Sequence, residues 1–324
     1  AMTALVAIEA KLDPTVVIGT KLKEFKNRNY RVGKSKYLII EACEYKRSFL
    51  NFHPEILIIT NIEADHLDYY KDLKDYKKAF YEIVEKIPKD GKIIINSDDK
   101  NSLEIVKNAK AEVIILNLDK TGNFQLKNQV LITPDKKIKI QPSIPGKFNL
   151  KNAANAAMVG LILNAPIRAI ENAIKKYKGS WRRLEYKKTK LPKTKFIDDY
   201  GHHPTEVKLT LEAIREKNPN AKILCVFQPH QYSRTRLLLK DFGKAFNSVD
   251  EIMIPNIYKS RDSEEDIQNM SVDKLVDEIN LHNPNAKNGK SLEQTANYIK
   301  KNHKKFDLIV TMGAGDISRI YKLL

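Results

Sequence analysis

Short, unbroken apolar runs recur along this chain, and they restrict it to few folds. Tyr37–Ile40, Ile56–Thr60, Gly91–Asn96, Ile223–Phe227, Glu251–Pro255 and Leu308–Thr311 all have strand length. A strand that is apolar on both sides is covered on both faces, as in a parallel sheet with helices above and below it. Between the runs the spacing turns helical: from Lys71 to Ile87, the residues Leu73, Tyr76, Phe80, Ile83, Val84 and Ile87 fall on one face. The alternation predicts an α/β chain whose later part is doubly wound, with ligands outside the carboxyl ends of the strands. Met2–Lys11 reads as a helix with Leu5, Ile8 and Leu12 on one side, ended by Asp13-Pro14. Residues 111–141, with turns such as Lys120-Thr-Gly122, read as a small antiparallel appendage without chemistry.

At 324 residues the chain has room for two domains of ordinary size. Its character changes at Lys178–Glu185, where Gly179 breaks a helix and two arginines follow the only tryptophan. The expected domains are therefore 1–179 and 180–324. A content of 42% hydrophobic and 30% charged residues excludes a disordered chain. No apolar run is long enough to span a bilayer and no basic-then-apolar leader is present, so the expectation is a cytoplasmic protein without a membrane partner. Cys43 and Cys225 alone make neither a disulfide framework nor a zinc site, and Cys225, inside an apolar run, reads as core. The net charge of +17 invites a nucleic-acid reading. Yet the lysines are dispersed and no basic and aromatic run forms a stacking platform, so no nucleic-acid partner is expected.

Titratable residues gather where the strands should end. Phe196-Ile-Asp-Asp-Tyr-Gly-His-His-Pro-Thr-Glu206 reads as strand, turn and helix start, with Asp198 and Asp199 at the strand end and His202 and His203 before Pro204 at a positive helix N-terminus. An isolated Asp pair or His pair there is equally a capped polar turn. Glu41 follows one apolar run and His66 another, which places both at one sheet edge; taken singly, Glu41 is as readily a cap and His66 a structural histidine. Asn149 and Asn152 begin an alanine-rich segment, and a carboxamide can pair with the edge of adenine or cap a helix. Arg182 and Arg183 offer planar forks suited to phosphate or to surface ion pairs.

Taken together, these strings resemble the Mur ligases, and in particular their alanine-adding branch. Glu41-Ala-Cys-Glu44, Asn61–His66, Phe148-Asn-Leu-Lys-Asn152, Arg182-Arg-Leu-Glu185, the Asp198–Glu206 segment and Gln228-Pro-His-Gln-Tyr-Ser-Arg-Thr235 follow the family's order over essentially the whole chain. The resemblance implies a central ATPase-type parallel-sheet domain followed by a Rossmann-like C-terminal domain. It implies ATP-driven joining of L-alanine to UDP-N-acetylmuramate through an acyl phosphate, with magnesium held by Glu41 and His66. Asn149 and Asn152 would hold adenine, Arg183, Asp198 and Asp199 the phosphates and ribose, and His202, His203, His230 and Arg234 the amino acid, with His202 and Arg183 closest to the chemistry. The family's Gly-x-x-Gly-Lys-Thr phosphate loop has no counterpart, since Gly33-Lys34-Ser35 lacks the spaced glycine. Two expectations follow: a major piece of an enzyme that works with a separately encoded N-terminal domain, or a catalytically dead remnant that binds nucleotide or a partner. The sequence departs from the family pattern at Phe148, where His is usual, and at Gln231, where Arg is usual, leaving Arg234, with Arg236 nearby, to hold a carboxylate.

Overall fold

The computed structural model describes residues 1–118 and 121–324, and the chain divides into two compact units, Ala1–Ser180 and Trp181–Leu324. The turn read at Lys120-Thr-Gly122 begins outside the described residues.

The first unit carries two sheets. Strands β1 (Thr15–Leu22), β2 (Arg28–Arg31) and β3 (Leu38–Ile40) form the smaller, in the order β2-β1-β3, with β1 antiparallel to β2 and parallel to β3. The larger contains β4 (Ile56–Ile59), β5 (Lys92–Asn96), β6 (Glu112–Leu118), β7 (Phe124–Lys127), β8 (Val130–Ile132) and β9 (Lys137–Lys139), in sequence order. Strands β4 to β7 run parallel and β7 to β9 antiparallel. The helices are α1 (Met2–Glu9), α2 (Leu73–Glu85), α3 (Lys100–Ile105), α4 (Lys147–Ile162) and α5 (Ile167–Lys176).

Alternation along β5 explains the layering. Ile94 faces a core built with α1, α4 and α5, whereas Ile93 and Ile95 face a second core with Tyr76 and Ile83 of α2. Each of these fully buried isoleucines stabilises by about 1.5–3 kcal/mol. Of residues 111–141, β7 to β9 are antiparallel as expected, but β6 is no appendage: it pairs parallel with β5 from Lys92↔Glu112 to Asn96↔Leu116 and buries Ile114 and Leu116 in the first core. Helix α1 stops at Glu9 and buries Met2, Ala4, Val6 and Ala7 rather than the Leu5–Ile8–Leu12 stripe. Close packing decides that face, for a Cβ on Gly160 of α4 would lie 2.8 Å from Val6 and 2.9 Å from Ile170. Nor is β3 the buried strand its sequence predicts: Leu38 is 58% exposed, because among the described residues only β1 flanks it.

The second unit is a six-stranded sheet in the order β10-β11-β15-β12-β13-β14. Strand β10 (Glu185–Lys187) is antiparallel to β11 (Lys195–Asp199), and β12 (Ile223–Phe227), β13 (Glu251–Ile254), β14 (Ala286–Asn288) and β15 (Leu308–Met312) extend a parallel array. Between them lie α6 (Pro204–Lys217), α7 (Tyr232–Leu237), α8 (Leu239–Gly243), α9 (Glu264–Asn269), α10 (Val272–Asn280), α11 (Leu292–Asn302) and finally α12 (Ile320–Leu323). Strand β15 inserts between β11 and β12, pairing Met312 with both Asp199 and Phe227. The loops after three strands therefore open side by side at one mouth. Among the described residues, no helix is long and apolar enough to cross a membrane.

Candidate active site

The mouth of the second unit gathers His202, His230 and Arg234. Pro204 starts α6, and His203 caps it: its Nδ1 accepts from the Thr205 amide at 3.4 Å, while Glu206 Oε2 accepts from the His202 and His203 amides at 3.1 and 3.4 Å. That capping box fixes the direction of His202. Its Nδ1 lies 3.2 Å from the Tyr200 carbonyl and 3.4 Å from Glu206 Oε2, both acceptors, so Nδ1 carries a proton, and once the ring gives up its second proton the lone pair is on Nε2. The His202 and His230 rings meet edge to face with centroids 6.0 Å apart.

His230 stacks on Tyr258 at 5.5 Å, and Arg234 Nη1 lies 3.3 Å from its Nδ1. A guanidinium only donates, so Nδ1 is the acceptor and the neutral ring bears its proton on Nε2. Burial, together with the Arg234 charge, pulls the His230 pKa down to about 4, which keeps the ring neutral near pH 7. His230 and Arg234 thus form a paired donor set suited to a carboxylate, whereas His202 offers an acceptor. Glu206 is held below the usual carboxylate range: burial opposes its charge, but Arg183, His202 and two amides outweigh it.

Tyr258 went unnoticed in the sequence, although its place after β13, at a strand's carboxyl end, was a usable signal. Gln231 does not point toward a ligand. It is buried at φ +75°, donating Nε2 to the Ser260 carbonyl at 3.0 Å and its amide to the Tyr258 carbonyl at 2.9 Å. Strain of about 1–3 kcal/mol in that backbone is offset by these bonds, so Gln231 fastens the loop that carries Tyr258. Arg236 pairs with Asp266 at 2.8 Å.

The carboxylates expected to hold nucleotide are bonded within the fold. Asp198 accepts from Arg182 Nε and Thr311 Oγ1, both at 2.9 Å, and Asp199 accepts from the Leu184 and Gly201 amides, both at 2.8 Å. Both are buried, and Asp199 ties the arginine segment to the turn that carries His202. Of the two arginines, Arg182 is buried, with Nη2 also donating to the Gly313 carbonyl at 2.6 Å. Arg183 is exposed beside Glu206, 3.5 Å away, with its guanidinium 5.5 Å over the Tyr200 ring.

In the first unit, His66 pairs with Glu44 rather than Glu41: Nε2 lies 3.3 Å from Glu44 Oε1 and the ring packs on Tyr45 at 4.8 Å. Although burial opposes its charge, the His66 and Tyr76 contacts hold Glu44 below its usual pKa. The Glu41 carboxylate lies against Gly19 of β1, where a Cβ would come within 2.9 Å of Oε1. Among the described residues, no three His, Cys, Asp or Glu side chains gather closely enough to hold a metal ion. With His66 Nε2 engaged by Glu44, this donor set does not fit magnesium as it stands, and no step below runs through one. Asn149 donates Nδ2 to the Pro145 carbonyl at 2.6 Å, spending that donor on its own helix start, while Asn152 is exposed. Asn155, not singled out in the sequence, is buried with Oδ1 unpartnered. A separate cavity of about 360 Å³, lined by Asn256, Lys290, Asp316, Arg319 and Lys322 among others, lies beyond β13 and β15 and holds none of the expected residues.

Comparison with known proteins now decides the family. Residues 17–160 match the Mur ligase middle domain and residues 182–315 the Mur ligase glutamate ligase domain. The chain belongs to the Mur ligase family. It is 39% identical over 333 residues to the UDP-N-acetylmuramate–L-alanine ligase of Clostridium perfringens, covering 99% of this chain and 72% of that enzyme. The ligase of the same name from Clostridium botulinum (strain Hall) is 41% identical over 98% of this chain and 71% of its own length. Among solved structures, UDP-N-acetylmuramate-alanine ligase from Thermotoga maritima superposes with a TM-score of 0.75 at 22% identity, covering 99% of this chain and 70% of that one. The Thermotoga maritima MurF ligase in complex with ADP gives 0.69 at 14% identity, covering 99% and 76%. At those identities the structural likenesses carry the fold alone. The expected α/β architecture is the fold these Mur ligases share.

Proposed function

We propose that this Mur ligase chain forms the central and C-terminal parts of an ATP-dependent enzyme that joins L-alanine to UDP-N-acetylmuramate, residues 1–179 serving nucleotide and 180–324 the amino acid. The observation that supports this reading best is the meeting of His202, His230 and Arg234, drawn from two separate motifs, at one strand mouth. Arg234 and the Nε2–H of His230 hold the alanine carboxylate, a charge-assisted pairing that fixes the amine's position. His202 Nε2 takes the proton that the amine must lose as it attacks the activated muramate carbonyl, and Glu206 steadies the resulting imidazolium. Displacement of phosphate from the acyl phosphate completes the amide. Asn152 contacts the nucleotide, and Arg183, exposed beside Glu206, offers its guanidinium to the acyl phosphate; His203, Asp198 and Asp199 position the loops rather than touch substrate. ATP supplies the phosphoryl group that activates the carboxylate.

The 324 residues contain no Gly-Lys-Ser/Thr loop with its spaced upstream glycine, so turnover needs that loop from another segment. The test measures phosphate release that depends on both L-alanine and UDP-N-acetylmuramate. The chain is assayed alone, mixed with the part of the Clostridium perfringens ligase it does not match, and fused behind that part. Release in the mixture or fusion, and none from the chain alone, is the expected result. Silence in both, where the intact clostridial enzyme turns over, rejects the assignment.

A further inference from the structure

The mouth of the second unit uses little of the net charge of +17. Two lysine-rich strings stand apart from the motifs that build it: Lys187-Lys-Thr-Lys-Leu-Pro-Lys-Thr-Lys195 and Lys300-Lys-Asn-His-Lys-Lys305. Distant in sequence, they meet in the fold. Thr194 Oγ1 donates to the His303 carbonyl at 2.9 Å, and β11 pairs with β15 from Lys195↔Leu308 onward, so the two strings lie side by side.

Topology puts both at one end of the second unit. Strands β11, β15 and β12 run parallel and adjacent, with the mouth at their carboxyl ends. The strings lead into β11 and β15, so they occupy the amino ends, at the opposite end of the sheet. Helix α6 also finishes there, and Lys217 and Lys222 precede β12 in the next position of the sheet. Lys188, Lys190, Lys193, Lys304 and Lys305 are all exposed, as are Lys217 and Lys222.

Acidic groups at this end are spent inside the fold. Asp307 accepts from the Lys222 amide at 2.8 Å, and Asp250 accepts from the Ile223 amide and from Arg215 Nη2, both at 2.7 Å. Arg215 also donates to the Ser248 and Ala221 carbonyls at 3.0 and 2.6 Å, and Lys187 pairs with Glu185 at 2.8 Å. The charge left facing solvent is therefore lysine. Like charges held this close repel one another, a cost that an anionic partner removes.

Residue type selects the kind of partner. A lysine ammonium is a hydrated point charge suited to a diffuse field, whereas specific phosphate contacts favour the arginine fork. Single-stranded nucleic acid needs open aromatic faces, but Phe306 is buried and the Tyr186 ring lies beneath Lys217, 5.8 Å away. Leu281, which follows α10 and precedes β14 at the same end, is 74% exposed. A bare leucine beside a field of lysines gains from acyl chains and nothing from a sugar–phosphate backbone.

We propose that the amino-end face of the second unit, centred on Lys193, Lys304 and Lys305, docks on an anionic lipid surface. Attachment of this kind is peripheral, so it asks for no spanning segment, and it points the mouth at the other end of the sheet away from the bilayer.

The full 324-residue chain is mixed with vesicles of phosphatidylcholine and phosphatidylglycerol, or of phosphatidylcholine alone, and sedimented. It should bind the anionic vesicles at low salt, ignore the neutral ones and let go as salt rises. Lys193→Gln, Lys304→Gln and Lys305→Gln together weaken binding at least about tenfold, while the same charge loss at exposed Lys71, Lys74 and Lys78 of the first unit changes it less than about twofold. Leu281→Ser weakens it at least about threefold, and every variant keeps the unfolding midpoint of the wild type. No binding to anionic vesicles at low salt, equal losses from the two triple variants, or full-strength binding by Leu281→Ser overturns the proposal. So does a mixed-sequence DNA duplex that binds more tightly than the vesicles at the same salt, which would make this face a nucleic-acid surface.

Discussion

The two adjacent arginines make opposite predictions. Arg182→Ala removes the Nε contact to Asp198 at 2.9 Å, the Nη2 contact to the Gly313 carbonyl at 2.6 Å and the Nη1 contact to the Gly315 carbonyl at 3.3 Å. It leaves Asp198, 0% exposed, with the Thr311 hydroxyl as its nearest remaining donor. Breaking one side of a buried pair costs about 3–5 kcal/mol, a large fraction of a domain stability of about 5–15 kcal/mol. Arg183→Ala loses an exposed contact of 3.5 Å to Glu206, a type of pair that contributes about 0–1 kcal/mol. Its effect falls on turnover. Urea unfolding followed through Trp181, the only tryptophan and the first residue of the second unit, reads both. Asp198→Ala on the Arg182→Ala background restores part of the loss, so the double variant falls short of additivity by about 2–3 kcal/mol. A cost below about 1 kcal/mol for Arg182→Ala, a cost no larger than that of Arg183→Ala, or strict additivity would refute the structural role given to the buried pair.

Two further outcomes follow from burial. His230 has a depressed pKa, so its neutral form stabilises the fold above the unfolded value of 6.5, and that stability is lost as pH falls toward about 4. Between pH 7 and 4 the wild type should lose more stability than His230→Asn, by at most about 3 kcal/mol before solvent screening of a half-buried ring reduces it; equal losses contradict the environment described. Cys225 is buried, with its thiol pushed up by burial and by Asp199, whereas Cys43 is exposed. An alkylating reagent should therefore add one adduct to the native chain and two after denaturation, and two on the native chain would contradict the burial.

Much of the architecture was legible because parallel strands announce themselves as apolar runs: Ile56–Ile59, Ile223–Phe227 and Leu308–Met312 all became strands. Strands β1 and β2 escaped because Gly19, Lys21, Arg28 and Arg31 interrupt the apolar signal, as befits a small sheet open on one face. The stretch from Ala111 was misread because β6 continues a parallel sheet whose partner, β5, is distant in sequence, and no local pattern records that pairing. In the site, His202 could be found because it follows a strand end, whereas His230 and Arg234 came from the family resemblance of Gln228–Thr235. Residue type alone could not separate Arg182 from Arg183, since one residue of backbone decides which guanidinium turns into the sheet; only the family resemblance singled out Arg183. The partner of His66 was equally hidden: Glu41 and Glu44 stand in one motif, and only the irregular segment after β3 brings Glu44 to the imidazole.

The central claim is that Arg234 and His230 hold the carboxylate of the incoming amino acid. It is tested most directly by the KM for L-alanine of Arg234→Lys beside the wild type, in the fused enzyme described above. Replacing a fork that pairs with both His230 and a carboxylate by a single ammonium costs about 1.5–3 kcal/mol, so the KM should rise about 10- to 150-fold while the unfolding midpoint and the KM for ATP hold. An unchanged KM for L-alanine in a folded, active Arg234→Lys enzyme would contradict the account.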